Sequence, residues 1–389
     1  MIDADLFDEF VKLAKRGRRL DRAGLDPRVV AELDRYLGRG RAAVAAASKA
    51  LPTLPPIYAD FVTNPQFNAF AFKHRDRYFI AFHDGLPLVL LMVLYRLLAD
   101  RRVFRHVGEP DQEAESLPPF QLVFPDAAQL ATANLGAVVP KHAWRQIYAI
   151  HLSHLAFDFL TVHEIAHLAH GHVDYLRAEH GLPYVSELEW LPNTPEGNLE
   201  SQAMELDADS SAARMIVHTA RANVAQRDTL PTDIAGLYWD PVQAMFDVAV
   251  AVCVIFRLFQ DSRLQGVDLL GRSHPPRRWR QMQILNMLGN YVDQNWDNSL
   301  VPAVESALSR ALGEVEEAFE LITGTGQQVH GLHDAWHGDG WKYTAAVSAS
   351  WNNTVRPKVA KYSFVAPNTY DFAQPSNSPK WQDSTTGDW

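Results

Sequence analysis

The feature that most restricts this chain is the stretch Phe157–Leu168, where His163, Glu164 and His167 sit among Phe157, Phe159, Leu160, Val162, Ile165, Ala166 and Leu168. Between positions 141 and 180 there is no proline and one glycine, Gly171, which predicts one long helix or two abutting ones. A helix this apolar belongs in a core. Burying two imidazoles and a carboxyl in it is costly unless they are paired or hold a metal. Any fold must therefore bring compensating groups to this helix.

On a helix, His163 and His167 project from one face, one turn apart. That spacing lets two ring nitrogens hold a single zinc ion at about 2.0–2.1 Å. Glu164, one residue after the first histidine, is then placed to act as general base without being a ligand. Glu205 and Asp209 repeat the i, i+4 spacing on a second predicted helix, 199–226. Glu205 is the candidate third ligand, with Asp209, Asp207 and Glu200 as competitors. Asp209 is the candidate partner for the non-ligating nitrogen of a zinc histidine. His274-Pro275-Pro276, followed by Arg280, opens a further predicted helix. A histidine and an arginine there are candidates to stabilise an oxyanion. His170 falls on the face of His163, two turns along, and is expected to pack or to lie behind the ligands. Gly171 is expected to end the helix and leave His172 in a turn. His330, His333 and His337 have spacing that allows a second metal site, against the plainer expectation of a Gly-rich turn with exposed histidines.

The order HEIAH, ELDAD, HPPRRWR resembles the gluzincin metallopeptidases, in pattern the HtpX-like and prenyl-protein-processing peptidases. The longer form HEIAHLAHGHVDY also resembles the Lit-type phage-exclusion peptidases, which are cytoplasmic. The resemblance covers residues 141–290 at most. It implies a zincin-like core, one Zn²⁺ per chain held by His163, His167 and Glu205, and Glu164 as base. Asp209 would lie behind the ligands, His274 and Arg280 would be auxiliary catalytic groups, and the substrate would be a polypeptide. This chain departs from the HtpX-like pattern in having no expected membrane span. A metzincin needs HExxHxxGxxH; here those last two positions are His170 and Val173, which excludes that class.

Composition narrows the remaining choices. With 36 Lys and Arg against 46 Asp and Glu, the net charge is −10, which argues against a dedicated nucleic-acid binder. One cysteine, Cys253, excludes an intrachain disulfide and fits a reducing compartment; it lies in an apolar run and is expected to be an inert core thiol. The acidic N-terminus lacks the basic and apolar regions of a secretory signal, so a cytoplasmic protein is expected. The apolar runs 86–94 and 248–256 are far short of the ~20 residues needed to cross a bilayer and are expected to be core helices.

The predicted fold is mainly α with a small antiparallel β element, α+β. Residues 1–66 form an N-terminal helical region, 67–325 the metallopeptidase core, and 326–389 a Gly/Trp/His-rich tail packed on it. Alternating apolar residues between 67 and 83 predict a β-hairpin turning at Lys73–Arg77, and a β-like run is expected at 343–347. The hairpin is the candidate edge for an extended substrate, and the tail a candidate cover for the cleft. The expected function is peptide-bond hydrolysis by a Glu-activated, zinc-bound water. The alternatives are a catalytically idle zinc-stabilised interaction module and a metal-dependent amidohydrolase.

Overall fold

The structure, a computed structural model, describes residues 2–119, 127–128, 138–182, 184–186, 194–259, 272, 274–324 and 339–370. The chain begins with helices α1 (Ile2–Leu13) and α2 (Pro27–Ala50). Asp26 caps α2, its side chain accepting from Arg28 N, with Pro27 at the first helical position. Three strands follow, β1 (Ile57–Val62), β2 (Ala69–His74) and β3 (Arg77–His83), and a fourth, β4 (Tyr184–Ser186), joins from far along the chain. The sheet order is β1-β3-β2-β4.

The expected mainly helical fold with a small β element is found. The sheet is mixed rather than purely antiparallel, because β1 runs parallel to β3. The β2–β3 hairpin is antiparallel, and its two turn residues, Arg75 and Asp76, are left-handed, as a tight two-residue hairpin turn demands. One face carries Val62, Phe70, Phe72, Phe79 and Ala81 against Phe7, Phe10 and Val11 of α1. Phe10 stacks on Phe72 at 3.9 Å between ring centroids. The other face, with Ala69, Ala71, Tyr78, Ile80 and Phe82, joins the main core. Burial on both faces is why these strands read as almost continuously apolar.

The hairpin strands take the two interior places of the sheet, with β4 covering β2 over Phe70–Phe72, so residues 67–83 are not the edge hairpin expected to receive a substrate. Of the two outer strands, β1 is partly covered, since Leu20 N donates to Phe61 O and Thr63 N to Arg18 O. The other is β4.

The remaining helices of more than two turns are α3 (Gly85–Leu98), α4 (Ala143–Ala169), α5 (His172–His180), α6 (Pro195–Ala225), α7 (Pro241–Leu258), α8 (Arg277–Asn295), α9 (Val301–Thr323) and α10 (Asp339–Ser350). By length and composition α7 is apolar enough to cross a membrane, but here it is buried from Ala244 to Leu258, against α4, α6 and α9. Residues 343–347 are not a strand. They lie in α10, whose Tyr343 and Val347 enter the core with Trp351, Val355 and Val359 of the helical segments that follow. Spacing by four, not by two, is the relevant period. The described part of the tail is thus an element of the core.

Arg145 anchors the start of α4. Its side chain is fully buried and donates to the carbonyls of Leu98, Asp100, Val103, Phe104 and Val107, at 2.6–3.2 Å. The loop leaving α3 thereby finds its missing donors in one planar fork. Arg145→Met should strand several buried carbonyls and lower stability by roughly 3 kcal/mol or more, read from urea denaturation. Burial pushes the Cys253 thiol up to about 12. It should resist a thiol reagent in the native protein and react once the protein is unfolded.

Candidate metal centre

The C-terminal half of α4 packs on α6, and the start of α8 closes over α6. Three side chains converge in that contact. His163 Nε2 lies 3.0 Å from His167 Nε2. The Glu205 carboxylate stands 3.5 Å from the first nitrogen and 3.3 Å from the second. Ligands on a tetrahedral zinc at ~2.0–2.1 Å are about 3.3–3.4 Å apart, and this triangle fits. Neither Glu205 oxygen makes a hydrogen bond of good geometry among the described residues, although the side chain is fully buried; its cationic neighbour, Arg280, is shared with Asp209. A buried carboxylate with so few hydrogen bonds is costly, and a further cation would offset that cost. The donor set of two imidazoles and one carboxylate, all buried, can hold a metal ion.

Behind this triangle lie the groups that orient it. His163 Nδ1 is 3.0 Å from Asp209 Oδ1. Asp209 is gripped by Arg280 through two bonds, Nε to Oδ2 and Nη2 to Oδ1, each 2.8 Å. Arg280 Nη2 also stands 3.1 Å from Glu205 Oε2. Burial pushes the Glu205 carboxyl up, but Arg280, His163 and His167 outweigh it and hold the group well below the ordinary carboxylate range. Helix α6 can supply both carboxylates because Glu205 and Asp209 share a face, and Arg280 arrives from the first turn of α8.

Of the residues singled out in the sequence, His163, His167, Glu205, Asp209 and Arg280 are therefore brought together. Glu164 is buried on α4 beside the first histidine. His274 is half-buried, three residues ahead of α8. Among the described residues the Arg280 guanidinium is engaged by Asp209 and Glu205. His330, His333 and His337 lie outside the described residues.

A second cluster was not foreseen as such. His170 Nδ1 contacts Asp207 Oδ2, and His172 Nε2 lies 3.3 Å from the same oxygen. The Tyr370 hydroxyl donates to Asp207 Oδ1 at 2.8 Å. His172 Nδ1 is 3.0 Å from His167 Nδ1, which joins the two clusters. Burial favours the neutral His172 ring, lowering it to about 4 against the pull of Asp207. The bend at Gly171 makes this possible. Its φ is +76°, and an added Cβ would stand 2.6 Å from the Tyr362 carbonyl carbon, so both backbone geometry and space call for glycine. The chain leaves α4 there and returns His172 to His167, which straight helical counting places off the ligand face.

Replacing Arg280 with Met leaves two buried carboxylates without their cation. It should cost about 3–5 kcal/mol in metal-free protein, measured by thermal and chemical denaturation. Arg280→Lys keeps the charge but not the fork, and should lose less.

The family model described as Peptidase U49 matches residues 114–295, a little under half of the chain. No curated protein and no solved structure matches. Every residue of the converging cluster, from His163 to Arg280, falls inside the matched stretch, which is thus similar to a family of peptidases.

Proposed function

We propose that this chain is a zinc-dependent metallopeptidase of the gluzincin type, an endopeptidase that hydrolyses peptide bonds in polypeptides. The observation that carries the proposal is the buried convergence of His163 Nε2, His167 Nε2 and the Glu205 carboxylate at ligand-to-ligand spacing. Similarity of this stretch to a peptidase family supports it. These three residues would hold one zinc ion. When bound, zinc supplies a Lewis acid and lowers the pKa of its water toward ~7.

The other residues act around it. Glu164 takes the proton from the attacking water and returns it to the leaving amine. Asp209 fixes the His163 ring, and Arg280 fixes Asp209 while balancing the charge of Glu205. His274, ahead of α8, is the remaining sequence-derived candidate to meet the oxyanion.

Elemental analysis of wild type, Glu164→Gln and Glu205→Ala tests the metal. The expected result is about one zinc per chain in the first two and its loss in the third. Absence of zinc from wild type, also after refolding with added metal, would sink the proposal. On an unstructured protein substrate, Glu164→Gln should slow cleavage about 10²–10⁴-fold while keeping the metal.

A further inference from the structure

The cluster around Asp207 takes no part in the reaction proposed above. We infer that His172, held by Asp207, is a positioning residue for the metal ligand His167, and that the second cluster is the outer layer of the first site rather than a second metal centre. This rests on the zinc reading. Proton placement carries it. A neutral imidazole that gives its Nε2 lone pair to a metal keeps its proton on Nδ1. His167 Nδ1 faces His172 Nδ1 at 3.0 Å, so His172 accepts there and carries its own proton on Nε2. That nitrogen faces the Asp207 carboxylate, Oδ2 standing 3.3 Å away, a close charge contact rather than a well-formed hydrogen bond. The same oxygen accepts from His170 Nδ1, and Oδ1 accepts from the Tyr370 hydroxyl. His170 Nε2 is left to accept from Ser211 Oγ at 3.3 Å. In this arrangement no two ring protons face each other.

A metal in the second cluster breaks that arrangement. His170, His172 and Asp207 do offer ligand atoms within 4.8 Å of one another. Yet giving His172 Nε2 to a metal moves its proton to Nδ1, where it meets the Nδ1 proton of His167. Two donors would then face each other at 3.0 Å unless one imidazole ionised.

Two substitutions at one position separate positioning from packing. His172→Phe keeps a ring against Trp351, whose ring meets His172 edge-on at 5.8 Å, but removes the acceptor. His172→Asn loses the ring and keeps an oxygen near the place of Nδ1. Zinc affinity is measured by competition with a chromogenic chelator, with His163→Ala as the control for the first site and melting of the zinc-free proteins as the check on folding. The expected result is a loss of about 10–100-fold in His172→Phe and near-wild-type affinity in His172→Asn. A purely packing role gives the reverse order and overturns the inference. Two zinc ions in wild type, one of them lost in His172→Phe, overturn it in favour of a second metal centre. Zinc absent from wild type overturns the underlying reading as well. If zinc is present and insensitive to both changes, only the positioning role falls. Should His172→Phe not fold, His172→Leu, equally without an acceptor, takes its place.

Discussion

The burial of ionisable groups where α4, α6 and α8 meet is the constraint around which this molecule is built. Two imidazoles, Glu205, Asp209 and the Arg280 guanidinium all lie in that contact, each almost inaccessible to water. Every one is expensive to desolvate alone. Together they form a set in which the charges offset one another, and Glu205, which shares Arg280 with Asp209, is its least well hydrogen-bonded member among the described residues. The two imidazoles and Glu205 could hold a metal ion there. Breaking the set at any point exposes the cost of the rest, which is why a single arginine matters so much to it.

The surrounding architecture keeps that contact closed. Arg145 locks the beginning of α4 to the loop after α3 through five carbonyls, fixing the helix that carries both histidines. At the other end of α4, Phe364 N donates to Ala169 O, and residues 362–363 press against Gly171. The C-terminal segment thus clasps the helix just past its histidines, and Tyr370 reaches Asp207 on α6. Trp351 is buried in the same region and holds to Asn368 O through its indole nitrogen. A truncation that removed these residues would open the core as well as any cover it provides.

Much of this was legible along the chain. Helical periodicity put His163 and His167 on one face, and Glu205 and Asp209 on another, because i, i+4 spacing survives any packing of a straight helix. Asp26-Pro27 announced the start of α2 for equally local reasons. Where periodicity was interrupted, counting failed. His172 follows a left-handed glycine, so its direction depends on how sharply the chain turns. Tyr343–Val347 looks like a strand because its apolar residues are few, and only the core behind them shows that the spacing is helical. Strand β1 escaped notice because its partner β3 begins fifteen residues after it ends, and parallel pairing leaves no local turn signal.

The sequence by itself determined the chemistry on offer: which residues can ligate, which can take a proton, and which lie one helical turn apart. Those properties depend on residue type and on local backbone geometry. Only the tertiary structure decided which partners meet. It set Arg280 on Asp209 and Glu205, turned His172 back to His167, and placed the predicted hairpin inside the sheet rather than at its edge. Those pairings join positions far apart in the chain. They are settled by the free energy of burying apolar faces and charges together, which no short stretch of sequence contains.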